Sequence, residues 1–221
     1  MRTWATWTER LGVIHGKESC SKKLSADWSI PILCEFKKAS KTLNSPLRMN
    51  AMSTKEKWMP PPVSQLRLDT DAAVKEDKNL AAIGGIVRNH EGQPLMAFAR
   101  NINLPSSIVH AELLAIEEGL RISKEIGLKI DQVFFDSLMA VQVVTKPEED
   151  FSYIGAVAAS VKKLLDLNRN SRIMHNCGSA NLVAHSLAHF SFSFLYPSLW
   201  VNGNFPFWLV NLVIQDLSYY E

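Results

Sequence analysis

The chain has 221 residues, 47% hydrophobic and 21% charged, which gives it material for a core and excludes disorder along its whole length. Three cysteines, Cys20, Cys34 and Cys177, show no CxxC or Cys/His spacing, so a disulfide framework and a structural zinc site are excluded and reduced intracellular thiols are expected. The formal net charge of +2 hides an asymmetry, with a net +6 over residues 1–57 and a net −4 over residues 58–221.

Residues 1–57 show no sustained period of 3.6 or 2, and their lysines are interspersed with Ser, Thr, Asn and Pro. They read as a flexible basic leader, with residues 58–221 as the folded domain. The N-terminus lacks the long apolar stretch of a secretory signal; Arg2 and Arg10 among Ser and Thr leave an organelle-transit segment open. No apolar run reaches the ~20 residues that span a bilayer, so no membrane partner is expected.

Pro60-Pro61-Pro62 is stiff punctuation between leader and domain. From Val63 to Ala73 the pattern alternates, with Leu66, Leu68 and Thr70 on one side and Arg67, Asp69 and Asp71 on the other, predicting a half-buried strand. Leu80 to Asn89 is a second strand, whose Gly84-Gly85 pair permits close backbone approach, and His90 to Gln93 is turn chemistry. Pro94 to Asn101 completes an antiparallel meander. The period then switches to helical: Ser106 or Ser107 caps a helix running to about Gly127. Gln132 to Phe135 is a short buried strand, Ser137 to Val144 and Ile154 to Leu167 are helices, Ser171 to His175 is a fifth strand, and Ala180 to Phe190 a further helix. The order βββαβαβα, with one extra helix, predicts an α/β layer fold around a mixed five-stranded sheet.

Acidic residues fall at telling places in this order. Asp71 lies near the end of the first strand, Glu112 on the packed side of the long helix, and Asp136 directly after the Val133-Phe134-Phe135 strand. Strand ends and a helix docked on them can meet at one edge, where three carboxylates repel unless they hold divalent cations. Singly, each has an ordinary alternative: Asp136 suits an N-cap, and Asp71 and Glu112 suit a turn and a helix face.

Seven stretches stand in order along residues 57–218: Lys57-Trp58 and the prolines, LRLDTDAA at 66–73, IGGIVRNHEGQPLMAFA at 83–99, AELLAIEEGL at 111–120, VFFDSLMAV at 133–141, SANLVAHSLAH at 179–189 and FPFWLVNLVIQDLS at 205–218. In this wording residues 58–221 resemble the plant-type ribonuclease H-like, retroelement-derived family. The resemblance implies a ribonuclease H-like fold, an RNA:DNA hybrid as nucleic-acid partner, and two Mg²⁺ or Mn²⁺ ions held by four acidic residues. Asp71, Glu112 and Asp136 match the first three, and His175 matches a histidine placed for product release or proton transfer. The fourth acidic position falls on His185, a neutral and softer ligand than a carboxylate. Ala72 replaces a glycine, and Gly178 stands where a basic residue is usual. His189, four residues after His185, makes a pair without a third ligand nearby in sequence. Trp200, Phe205, Phe207 and Trp208 read as core or edge-packing aromatics, not base-stacking platforms. Three functions follow from this pattern: a hybrid-cleaving endonuclease, a degenerate domain that binds nucleic acid without cutting, and a scaffold retained for protein contacts.

Overall fold

The computed structural model describes residues 56–148, 150–168, 171–194 and 196–217; the expected leader, Cys20 and Cys34 lie outside the described residues, apart from Glu56 and Lys57 at the leader's end. Strands β1 (Arg67–Lys75), β2 (Leu80–Arg88) and β3 (Pro94–Ile102) form the antiparallel meander. Helix α1 (Ile108–Glu125) leads to β4 (Gln132–Phe135), which lies parallel to β1. Helices α2 (Leu138–Thr145) and α3 (Tyr153–Leu167) precede β5 (Arg172–His175), parallel to β4. Helix α4 (Leu182–Phe190), strand β6 (Ser198–Val201) and helix α5 (Phe207–Leu217) complete the chain order. The α/β fold class expected from the sequence is the one observed, with the sheet ordered β5-β4-β1-β2-β3-β6.

Local chemistry accounts for most of these boundaries. Ser107, Ser137 and Ser152 each accept a hydrogen bond from a backbone N–H of the first turn of α1, α2 and α3, so three helices start where a serine can satisfy an orphan donor. Asn89 Oδ1 accepts from the N–H groups of Glu91 and Gln93 at 2.9 Å each, and Gly92 takes φ +76°, which closes the β2–β3 hairpin.

The pleat of the sheet divides the core in two. Met96 and Phe98 of β3 join Leu68, Leu113, Ile116 and Leu120 beneath α1, while Ala97 and Ala99 face Val183, Leu187, Leu209 and Val213 of α4 and α5. Gly84 makes the second layer possible. A Cβ there would lie 2.3 Å from the Ala188 backbone nitrogen, so only a residue without one lets α4 settle on β2.

Four expectations are corrected. The first strand begins at Arg67 and not at Val63, because Gln65 N–H turns back to Pro62 O at 3.0 Å and Ser64 adopts φ +67°. The sheet has six strands and not five; Ser198–Val201 pairs antiparallel with β3, four residues too short to show a period. Strand β1 is not half-buried but covered on both sides, with Arg67, Asp69 and Asp71 all buried. Phe207 is also largely exposed at 79%, while Phe190, Trp200 and Trp208 pack with one another.

The polar side of β1 is sealed by a charge network. Trp58 is buried, and its indole N–H donates to Asp69 Oδ2 at 2.9 Å. Arg67 Nε donates to Asp69 Oδ1 at 2.8 Å, and Arg88 donates to Asp69 Oδ2 at 3.2 Å and to Asp216 Oδ2 of α5 at 2.8 Å. The Arg88 guanidinium lies 3.6 Å from the Trp58 ring centre, and that of Arg67 lies 3.6 Å from the Phe134 ring. Two arginines thus face two aspartates beneath an aromatic roof, joining Trp58 and α5 to the middle of the sheet.

Candidate metal centre

Because β1 and β4 are parallel with Asp69 opposite Phe134, Asp71 and Asp136 come level at one edge of the sheet. Helix α1 passes over that edge and presents Glu112 from its second turn. One ligand atom from each of Asp71, Glu112 and Asp136 lies within 4.8 Å of the other two, the one such cluster of potential metal ligands among the described residues. Asp71 and Glu112 are only 3% and 4% exposed, while Asp136 is the most open of the three. The three carboxylates that the chain order put near one another in expectation are therefore brought together.

The electrostatics favour a cation. Burial, then the charges of Asp71 and Asp136, push the Glu112 carboxyl well above its ordinary value; a backbone hydrogen bond from Ala72 works against this. Asp136 is raised by burial first and by Asp71 next. Glu112 Oε2 is buried with no hydrogen-bond partner, an orphaned acceptor on a residue of the acidic cluster. Three hard oxygen donors and an unsatisfied carboxylate oxygen fit a divalent cation.

Histidines frame the cluster. Asn181 Nδ2, buried, donates to Thr70 O at 2.9 Å and ties the start of α4 to β1. One turn on, His185 Nδ1 lies 2.9 Å from Asp71 Oδ2, with 47% of the His185 side chain exposed. Its hydrogen bond to Asp71 raises the His185 pKa, against the effect of burial. His189 packs on His185 with ring centres 4.4 Å apart, and its own pKa is lowered by burial and then by His185. His175, exposed at the end of β5, has Nε2 3.1 Å from the Asp136 carbonyl oxygen and does not meet the carboxylates directly. Gly178 abuts the cluster: a Cβ there would stand 3.3 Å from Asp136 Oδ2. The glycine that stands where the family resemblance implies a basic residue thus sits against a cluster carboxylate.

Residues 69–191, more than half of the chain, match the family described as reverse transcriptase-like. The chain belongs to that family. It contains a plant-type ribonuclease H-like domain. An Arabidopsis thaliana protein named as a candidate ribonuclease H is 24% identical over 193 residues, 86% of this chain and 30% of that protein, so the chain spans under a third of that relative's length. Ribonuclease H1 of the halophilic archaeon Halobacterium salinarum superposes with a TM-score of 0.53 at 18% identity, over 59% of this chain and 98% of that one. LC11-RNase H1, solved in complex with an RNA/DNA hybrid, gives 0.52 at 17% identity, over 58% of this chain and 97% of that one. At these identities the structures establish the fold. Among the described residues no helix is long and apolar enough to cross a membrane.

The polar network at Asp69 was missed by sequence reasoning. Trp58 carried a signal as part of the family wording, but Asp216, the partner of Arg88 in the same network, lies 128 residues from that arginine, beyond any periodicity.

Proposed function

We propose that this domain is an endonuclease that cleaves the RNA strand of RNA:DNA hybrids with Mg²⁺ or Mn²⁺. One observation carries the reading: Asp71, Glu112 and Asp136 converge within 4.8 Å, with a buried and unpartnered Glu112 oxygen among them. Family membership and the hybrid seen bound to LC11-RNase H1 support the substrate class.

Asp71, Glu112 and Asp136 would hold the cation. A bound divalent ion supplies polarisation of the phosphodiester and stabilises charge on the departing oxygen. The chain supplies rigid placement: Asp71 stands on a central strand and Glu112 on a helix packed against the sheet, so neither carboxylate needs to reorganise. Asp136, the most open, faces the incoming strand and orients water there. His175, on the exposed rim beside Asp136, serves proton transfer or product release. A contact to the 2′-hydroxyl would mark the RNA strand, and the net +6 of residues 1–57 would add salt-sensitive phosphate affinity.

A second reading, binding without cutting, is favoured by the His185–Asp71 hydrogen bond, which engages a cluster carboxylate. Cleavage of a labelled RNA:DNA hybrid in Mg²⁺ and in Mn²⁺ decides between them. The nuclease reading expects cutting by the natural chain and none by folded Asp136→Asn. Cutting that survives in Asp136→Asn sinks it. A silent natural chain that retards the hybrid in a salt-sensitive way selects binding alone.

A further inference from the structure

We propose that the acidic centre takes one divalent cation and not the two that its family resemblance implies, because His185 closes the second seat. The inference rests on the cation reading of Asp71, Glu112 and Asp136 above.

Charge is the first argument. Three carboxylates supply three negative charges, which suit one dication and leave a deficit for two. His185 contributes no negative charge at the position that would balance the second. Lys75, held 4.1 Å from the Phe192 ring, adds positive charge on the same side, beyond His189.

Donor chemistry is the second. An ionised carboxylate only accepts hydrogen bonds, so at 2.9 Å from Asp71 Oδ2 the proton sits on His185 Nδ1. A protonated ring nitrogen has no lone pair to offer a metal, and the bond also engages the Asp71 oxygen on that side. The other ring nitrogen, Nε2, is directed away from the one that meets Asp71.

Placement is the third. Asn181 binds Thr70 O, and the close seat of α4 on Gly84 fixes the helix against the sheet. His189, backed by Phe192 at 5.9 Å, packs against the His185 ring and resists its swinging clear. Among the described residues no further carboxylate joins the cluster.

The test counts Mn²⁺ bound by the full chain without nucleic acid, from the loss of the free-ion paramagnetic resonance signal and by calorimetry. The expected result is one ion per natural chain, one for His185→Asn, and two for His185→Asp, whose spectrum should show coupling between neighbouring ions. Two ions on the natural chain overturn the proposal, and so does a single ion on folded His185→Asp. If the natural chain binds none, the cation reading itself falls, an outcome distinct from a wrong count. Should His185→Asp not fold, the count on the natural chain still decides.

Discussion

Asp69 and Asp71 stand two residues apart on the same face of β1, both all but closed to solvent, yet their surroundings are opposite. Asp69 receives hydrogen bonds from Arg67, Arg88 and the Trp58 indole, and each of its oxygens is satisfied. Asp71 meets Glu112 and Asp136 and has one imidazole beside it. Burying a charge is tolerable when cations and donors surround it and costly when like charges do. The charge of Asp69 is thus balanced within the chain, whereas Asp71 faces two further carboxylates. One alternating strand serves both ends because a shift of two residues along β1, about 7 Å, carries the side chain from under Trp58 and α5 to the open edge beneath α1 and α4.

The comparison is broken most severely at its paired half. Asp69→Ala leaves the two arginines buried without their shared partner, a loss of about 3–5 kcal/mol. Urea unfolding of the purified chain measures it; a loss below about 1 kcal/mol would show that water reaches this network, and the contrast with Asp71 would fail.

The acidic half should respond to pH in the absence of divalent ions. Glu112 and Asp136 are both raised by burial and then by the charge of Asp71, and His185 by its bond to Asp71. Groups with raised folded-state values bind protons more tightly when folded, so their stabilisation is present at low pH and is lost as pH rises. For the carboxylates the loss begins near the ordinary value of ~4 and for His185 near ~6.5, each continuing through the raised folded value. In EDTA the thermal midpoint should therefore fall as pH is raised from about 5 to 8, the carboxylate loss starting below that range. The gain on adding Mn²⁺ should grow over the same range. A midpoint that rises with pH in EDTA contradicts the assignment.

Glu112→Gln sharpens the contrast with a smaller effect. It removes one repelling charge, so in EDTA the midpoint should rise by roughly 2–4 °C, the shift that about 1 kcal/mol produces in a domain of this size. The gain from Mn²⁺ should shrink or vanish. Differential scanning calorimetry with and without the ion reads both, and an unchanged Mn²⁺ response would remove Glu112 from the ligand set. Smallest of all, Ser107→Ala removes the cap that starts the Glu112 helix and should cost roughly 0.5–1 kcal/mol; hydrogen exchange should loosen the first turn of α1 while the Asp69 network stays protected.

Much of the fold was legible because its signals are local. The 3.6-residue stripe of α1, the serine caps and the Asn89–Gly92 turn each depend on residues within one or two turns of one another. The three carboxylates were legible for a related reason: Asp136 directly follows a short apolar strand and Glu112 lies early in a capped helix, although Asp71 stands midway along β1 and not near its end, level instead with the end of the parallel β4. Alternation along β1 said which residues share a face but not what covers it, so Arg67 and Asp69 looked solvated when α5 and Trp58 lie over them. The short β6 escaped because an edge strand of four residues has hardly one full alternation to display.

By itself, then, the sequence determined the order and type of the elements as far as α4, and the carboxylates that come near one edge, since these follow from backbone sterics, capping and period. Only the tertiary structure decided which buried charges are paired, that His185 lies against Asp71, and that Glu112 keeps an unpartnered oxygen. Those depend on side chains from β1, α1, α4 and α5 meeting across tens of residues, where distance in space is unrelated to distance along the chain.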